Sequence, residues 1–225
     1  MKISIIIPTY NSAKTLKRAV ESALNQDFPK NEFEVIVVND GSTDETAAIL
    51  KTFCPKIKVI TQNNQGALPA SNNGFKAASG KFVMKLDSDD VFEKTILKEM
   101  YIVFEKKPEL DFVYCNYFEK KVNGKVEEVS CCKNIFNTIG IGIMFKKDKF
   151  EEQGFFNEKA MFAEYDLLLK TRGQWQGDCL EKPLFWYLRR KESITGALGW
   201  VEKAIEQLKA FYPQYLKEIA KIRPY

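Results

Sequence analysis

Short apolar runs alternate with segments of helical periodicity along the first half of this sequence. The run Ile3 to Ile7 is rich in β-branched residues and stops at Pro8, which is typical of a strand buried on both faces of a sheet. This alternation predicts a mostly parallel central sheet flanked by crossover helices. The predicted strands are residues 3–7, 33–38, 57–61 and 81–86, and the last two predicted helices are residues 68–78 and 92–106.

The second half departs from this regular alternation. It contains two strand-like segments, one Asn-Gly hairpin signal and a terminal stretch of near-helical spacing. Because no repeat or linker interrupts the chain, the sequence predicts a single α/β domain over residues 1–225, with a mixed sheet in its second half. The strand-like segments are residues 111–118 and 139–145, the hairpin signal is Asn123-Gly124, and the terminal stretch runs from Gly199 with an interruption at Pro213.

Composition excludes several classes of function. The chain of 225 residues contains no histidine, so no imidazole can act as a base or as a metal ligand, and carboxylates and lysines must do any acid–base work. The net charge of +4 is small, and the basic residues are spread along the chain, so we expect no nucleic-acid partner.

The cysteines predict a reducing compartment. There are 5 of them, an odd number, at spacings that match no zinc motif. The first apolar run is also too short for a signal-peptide core or a membrane span. We therefore expect a reduced, cytoplasmic protein without disulfides.

Polar residues follow three of the predicted strands directly. They are Pro8 to Asn11, Asn39 to Ser42 and Asp87 to Asp90. In open α/β sheets, ligands bind beyond the carboxyl ends of the strands. The three polar segments therefore predict one shared binding site.

The acidic segment is the most informative of the three. Asp87, Asp89 and Asp90 repel one another unless a cation or a hydrogen-bond donor neutralises them. Oxygen ligands on a short turn suit Mg²⁺ or Mn²⁺ together with substrate phosphates. The alternative for Asp89 or Asp90 is a favourable charge in the first turn of the following helix.

Four motifs in order resemble the inverting family 2 glycosyltransferases of the GT-A fold, which is Rossmann-like. Single matches to such motifs are weak, but four in the family's order and spacing are specific. The resemblance implies a nucleotide-sugar-binding half over about residues 1–110, an acceptor-binding half over about 111–198, and a C-terminal helical segment over 199–225. The matching segments are Ile5 to Asn11, Val37 to Asp44, Asn64 to Gly74 and Leu86 to Asp90, the last being the family's DXD-type motif.

The resemblance implies a role for individual residues around the nucleotide. Asp40 is expected to accept a hydrogen bond from the base, which favours a UDP-sugar; its alternative is a turn residue before Gly41. Tyr10 is expected in the base pocket, or else it is a rim aromatic without a ligand. Asp89 is expected to ligate the metal, with Asp87 near the metal and ribose. The other expected nucleotide contacts are Pro8, Thr9, Gly66, Asn72 and Ser88.

The expected catalytic base lies in the second half. Glu164 falls where the family has its basic aspartate, and Ala163 replaces the acid before it. The alternative for Glu164 is a surface acid in the first turn of a helix. Ser71 stands where many members have an arginine near the pyrophosphate. Lys85 and Arg190 are therefore candidate diphosphate contacts, and Arg190 alternatively belongs to a solvated charge run.

The resemblance implies an inverting, metal-dependent transfer from a nucleotide sugar, with Mn²⁺ or Mg²⁺, to a saccharide or lipid-linked acceptor. A sugar-nucleotide-binding protein without turnover and a nucleotidyltransferase are the alternatives. The aromatic C-terminal stretch, with Trp200 and Phe211, suits contact with the inner face of a membrane or, alternatively, packing or homodimer formation.

Overall fold

A computed structural model describes residues 1–190 and 199–222. In this part of the chain, nine strands form one sheet in the order β3-β2-β1-β4-β8-β6-β9-β5, and β7 pairs with β6. The strands are β1 (Ile3–Thr9), β2 (Phe33–Asp40), β3 (Lys58–Gln62), β4 (Phe82–Lys85), β5 (Val91–Phe92), β6 (Phe112–Lys120), β7 (Val126–Val129), β8 (Ile143–Lys146) and β9 (Gly177–Leu188). The helices are α1 (Leu16–Leu24), α2 (Thr46–Phe53), α3 (Ala67–Lys76), α4 (Ile96–Lys106), α5 (Lys147–Glu152), α6 (Ala163–Lys170), α7 (Trp200–Phe211) and α8 (Leu216–Ile219).

The first four strands are parallel, as the alternation of strands and helices predicts. β1 pairs with β2 on one side and β4 on the other, and β2 pairs with β3. Ile5 and Ile7 pack in the apolar cluster on the α1 and α4 face, whereas Ile6 packs in the cluster on the opposite face with α3 and α6. Successive side chains of a strand point to opposite faces, so a strand covered on both faces is apolar throughout. The predicted fold class is confirmed.

The second half extends the same sheet with mixed pairing. β8 is antiparallel to both β4 and β6, and β9 is parallel to β6. The Asn-Gly hairpin is present between β6 and β7, with Gly124 at a φ of 84°. β9 was not predicted, because its residues include Lys182 and Pro183 and therefore do not form a continuous apolar run.

Two predicted boundaries are wrong. Phe92 does not begin a helix but pairs with Phe185 in the sheet, and α4 begins at Ile96. The segment 139–145 is not one strand, because a 3-10 turn over Gly140–Gly142 precedes β8. Gly142 makes that turn close to a ring: a Cβ atom there would lie 2.4 Å from Phe185 Cε1.

The prediction of reduced cysteines is wrong for two of the five. Cys132 and Cys179 form a disulfide across a sequence separation of 47 residues, with their Cα atoms 5.3 Å apart. Cys179 lies in β9, beside Tyr114 of β6. Cysteine count and spacing do not reveal which residues a sheet brings together. The cytoplasmic location stays a prediction.

The C-terminal segment packs against the second half. α7 buries Val201, Ala204 and Leu208 and ends before Pro213, as predicted. The Tyr212 hydroxyl donates a hydrogen bond to the Asp166 carboxylate at 2.9 Å, which ties α7 to α6. No helix within residues 1–190 and 199–222 is long and apolar enough to cross a bilayer. Contact with a membrane surface and homodimer formation stay predictions.

Candidate active site at the strand ends

The three polar segments meet at one edge of the sheet. They follow β1, β2 and β4, which are neighbours in the sheet and parallel. Ser12 and Ser88 share a hydrogen bond of 2.8 Å between their hydroxyls, and the Asn11 backbone N–H donates to the Ser42 hydroxyl at 3.0 Å. Sequence-distant polar segments are therefore in direct contact, as the position of strand ends in a parallel sheet requires.

Asp40 anchors the loop before α3. The side chain is 2% exposed. Its carboxylate accepts hydrogen bonds from Gln62 Nε2 at 2.8 Å, Gln65 N at 2.9 Å and Gly66 N at 2.8 Å. Asp40 therefore holds the loop before α3, and both of its predicted roles, contact with a base and a turn before Gly41, stay predictions.

Gly66 begins α3 in a conformation that favours glycine. Its φ is 100°, and the space next to its Cα is open, with Pro69 Cδ at 4.0 Å as the nearest atom to an added Cβ. The space beside the Gly66 Cα is therefore open, but its N–H is donated to Asp40 and its carbonyl accepts the Ala70 N–H, so a nucleotide contact stays a prediction.

Two α3 residues turn inwards. Asn72 is 2% exposed, and its amide group donates to Phe156 O at 2.9 Å and Glu158 Oε1 at 3.0 Å. Both of its N–H groups are thereby used to fix the segment before α6, which leaves no free donor for a nucleotide. Ser71 is 1% exposed and donates to Ala67 O within the helix.

The end of β1 presents one exposed aromatic side chain. Pro8 and Thr9 are buried as the last residues of the strand, whereas Tyr10 is 48% exposed. The Thr9 hydroxyl is buried without a hydrogen-bond partner in the described residues. Of these three predicted pocket residues, Tyr10 offers a side-chain surface to a ligand.

Cationic side chains neutralise the acidic turn. Asp87 pairs with Lys85 at 3.0 Å, and Asp89 pairs with Arg190, whose Nη2 lies 2.5 Å from Asp89 Oδ2. Arg18 of α1 donates to the backbone carbonyl of Asp89 at 2.9 Å, a contact that sequence reasoning missed. The helix-terminus alternative for Asp89 and Asp90 is wrong, because α4 begins only at Ile96.

Two carboxyls of the turn, those of Asp89 and Asp90, have raised pKa values. Burial, reinforced by Asp89 and Asp87, raises the pKa of Asp90 well above its ordinary value. Burial and Asp87 also raise the pKa of Asp89, against the lowering effect of Arg190. Asp90 is 1% exposed and accepts the Leu188 backbone N–H at 2.8 Å, so it fixes the end of β9 just before Arg190.

The acidic turn matches one common way of holding a divalent cation. Within residues 1–190 and 199–222, no group of three acidic or cysteine side chains is arranged to hold a metal. Mg²⁺ and Mn²⁺ are commonly held by one or two carboxylates together with substrate phosphates, and Asp87 and Asp89 supply that number of oxygen donors. These donors fit a divalent ion once they leave Lys85 and Arg190.

Glu164 lies at the same edge of the sheet. It occupies the first turn of α6, and the Gly140 backbone N–H hydrogen-bonds its carboxylate. A methyl group built on Gly140 would lie 3.8 Å from Glu164 Oε2 and 3.6 Å from Lys85 Nζ. The expected base and the acidic turn are therefore connected through Lys85.

The residues that hold this arrangement were not found from the sequence. The Tyr165 hydroxyl donates to Phe136 O at 2.9 Å and Thr138 O at 3.0 Å, which joins α6 to the segment leading into Gly140. Gly140 carries no motif in the sequence. Tyr165 follows the predicted base directly, and that position was the available signal.

A parallel sheet with polar strand ends, extended by a mixed half that carries an acid, is the architecture of GT-A glycosyltransferases. The structure of residues 1–349 of Staphylococcus aureus TarS in complex with UDP-GlcNAc matches 99% of this chain and 72% of that chain, with a TM-score of 0.77 and 25% identity. A Pyrobaculum calidifontis mannosyltransferase solved with GDP-Man and Mn²⁺ has the same fold, with a TM-score of 0.69 at 17% identity over 100% of this chain and 66% of that chain.

The sequence comparisons agree with the fold. The chain belongs to the family described as glycosyl transferase family 2, whose profile matches residues 4–163. An uncharacterized glycosyltransferase of Rickettsia prowazekii is 32% identical over 75% of this chain and 58% of its own length. The poly(ribitol-phosphate) beta-N-acetylglucosaminyltransferase TarS of S. aureus is 43% identical over a segment that covers 44% of this chain and 18% of TarS. The predicted family is confirmed, and the match spans only a small part of TarS.

Proposed function

We propose that this protein transfers a sugar from a UDP-linked donor to an acceptor hydroxyl, with inversion and with a divalent cation. The observation that carries the proposal is the position of Glu164 beside Lys85 and the acidic turn, at the carboxyl edge of the parallel strands. A base and a diphosphate site on one edge of the sheet suit a single displacement at a sugar carbon.

The proposed reaction is one in-line displacement. The acceptor oxygen attacks the anomeric carbon while Glu164 takes the proton from that oxygen. The bond from the anomeric carbon to the diphosphate oxygen breaks, and the nucleoside diphosphate leaves with the electron pair. One displacement inverts the configuration at the sugar carbon.

Asp89, with Asp87, would hold the divalent cation, which would supply neutralising charge for the departing diphosphate. Arg190 lies next to Asp89 and is the side chain best placed to meet the same phosphates once Asp89 turns to another partner. Burial also raises the pKa of Glu164, which makes its carboxylate a stronger base.

The choice of donor and acceptor rests on the relatives. TarS has been solved with UDP and with UDP-GlcNAc, so UDP-GlcNAc is the first donor to test. TarS is a poly(ribitol-phosphate) beta-N-acetylglucosaminyltransferase, so its acceptor is poly(ribitol-phosphate). A polyol-phosphate polymer therefore belongs in the acceptor panel beside oligosaccharides and lipid-linked sugars.

The test measures nucleoside diphosphate release from a panel of nucleotide sugars, with Mn²⁺ or with EDTA. The proposal predicts release of UDP from a UDP-sugar in Mn²⁺ and little in EDTA. Tight binding without release with every acceptor would support a binding protein instead. Pyrophosphate release from a nucleoside triphosphate would support a nucleotidyltransferase.

The metal role has its own test. Calorimetry on D89N should show weaker binding of Mn²⁺ and of the nucleotide sugar than in the parent protein. D27N is the matched control, because Asp27 also pairs with a cation, Lys98 at 3.1 Å, but lies on the exposed surface. Equal affinities in D89N and the parent protein would contradict metal binding at Asp89.

A further inference from the structure

The side chain of Lys85 points to the face of the sheet that carries Glu164. On β4, Phe82 and Met84 pack in the cluster on the α1 and α4 face, whereas Val83 packs in the cluster with α3 and α6. Side chains alternate along a strand, so Lys85 points to the same face as Val83. The positively charged side chain of Lys85 therefore lies on the face that α6 covers.

The ammonium group of Lys85 is enclosed there. Its side chain is 15% exposed and pairs with Asp87 Oδ1 at 3.0 Å. A methyl group on Gly140 would lie 3.5 Å from Lys85 Cε, so the bare glycine backbone forms one wall of the space that holds the lysine chain. A cation enclosed in this way interacts more strongly with nearby carboxylates than an exposed one does.

The positive charge of Lys85 acts on the Glu164 carboxyl, since both groups lie against Gly140. Burial raises the pKa of Glu164, and Lys85 is the strongest influence that lowers it. Asp87 pushes the pKa of Glu164 upwards, and the Gly140 backbone N–H lowers it.

We propose that Lys85 is a positioning residue that keeps the Glu164 carboxylate ionised, and that it does not contact the leaving diphosphate. Lys85 thereby joins the acidic turn to the base across the sheet edge. This inference rests on the proposed function, since it assigns Lys85 to the base of that reaction.

The alternative assignment of Lys85 makes a different kinetic prediction. A lysine that contacts the diphosphate contributes to donor binding, so its loss raises KM for the nucleotide sugar. A lysine that acts through Glu164 changes proton transfer, so its loss lowers kcat and moves the pH dependence.

The variants separate charge from packing. K85M and K85Q both remove the charge, and Gln keeps a donor for Asp87, so either folded protein serves the test. K85R keeps the charge. K98M is the matched control, because Lys98 also pairs with an aspartate but its side chain is 53% exposed and its partner is Asp27.

The first readout needs no turnover. In protein labelled with ¹³C-glutamate, the Glu164 carboxyl signal is identified by its absence from the E164Q spectrum, and its titration is followed against pH. Loss of the nearby cation removes a lowering influence, so the Glu164 titration should move up by about one pH unit in K85M and K85Q. K85R and K98M should titrate like the parent protein. An unchanged Glu164 titration in both neutral variants overturns the inference.

The second readout is nucleoside diphosphate release from the active nucleotide sugar, with water or an active acceptor. In the neutral variants, kcat should fall by about tenfold or more at pH 7, KM for the donor should change less than about twofold, and the acid limb of the kcat profile should move to higher pH. K85R should recover most of the rate.

A raised KM with unchanged kcat overturns the inference in favour of a diphosphate contact. Full activity in E164Q would instead sink the base assignment of the proposed function, whereas an inactive E164Q beside normal K85M kinetics would sink this inference alone.

Discussion

The two halves of the molecule build the same site in different ways. In the first half, the site residues follow β1, β2 and β4 directly, and they meet because those strands are parallel neighbours. In the second half, Glu164 begins a helix, Gly140 lies in a 3-10 turn, and Arg190 follows the end of β9. The first half is therefore readable as motifs, whereas the second half becomes a site only through packing.

The difference extends to what the buried polar groups do. Asp40 and Asn72 in the first half use their hydrogen bonds to hold loops and neighbouring segments in place. Lys85 instead pairs with Asp87, and Glu164 accepts the Gly140 backbone N–H next to the space that holds the lysine. We therefore expect changes at Asp40 and Asn72 to alter stability, and changes at Lys85 and Glu164 to alter turnover.

The largest expected effect is the loss of the base. In E164Q, kcat should fall by about 10²–10⁴, because general-base assistance contributes a factor of that size. KM for the nucleotide sugar should stay close to the parent value, because Glu164 is proposed to act on the acceptor hydroxyl and not on the donor. Steady-state kinetics measures both. A raised KM with an intact kcat would indicate that Glu164 contacts the donor, which would contradict the proposed division of roles between the two halves.

The second largest effect concerns the disulfide, which joins the segment before Gly140 to β9. Closure of a loop between Cys132 and Cys179, 47 residues apart, restricts the unfolded chain. The C132S variant should therefore lose about 2–4 kcal/mol of unfolding free energy. Urea denaturation without reductant measures this loss. The control C54S, at an exposed free cysteine, should unfold like the parent protein; equal stability of both variants would contradict a structural role for the disulfide.

The third effect belongs to the first half. D40A removes the acceptor for three hydrogen bonds that hold the loop before α3. The unfolding free energy should fall by about 2 kcal/mol, since bonds to a charged group are stronger than neutral ones. D40N, which keeps one acceptor oxygen, should lose less. If D40A unfolds like the parent protein but no longer binds nucleotide, the residue contacts the base and the anchoring role is minor.

The smallest effect on stability is expected at Tyr10. Because this side chain is 48% exposed, Y10A should change the unfolding free energy by no more than about 0.5 kcal/mol. Its affinity for UDP should fall about tenfold if the ring stacks on the base. Calorimetry separates the two readings, because an unchanged affinity identifies Tyr10 as a rim residue without a ligand.

The limits of prediction from sequence follow the same division. The parallel order and the positions of Tyr10, Asp40 and Asp87 followed from the periodicity and the motifs, because in a parallel sheet the chain direction alone puts strand ends on one edge. β9 and the disulfide did not follow, because β9 contains polar residues and Pro183, and its partner β6 is distant in sequence.

The amino-acid sequence is enough to identify the family, the parallel core and the residue types available for chemistry, since the absence of histidine leaves carboxylates and cations to do the work. Which charges meet depends on the folded arrangement. The acidic turn is neutralised by Lys85 and Arg190, and Lys85 also faces Glu164, which lies far along the chain. The physical reason is that electrostatic energy depends on distance and burial in the folded protein, and neither is a property of a local stretch of sequence.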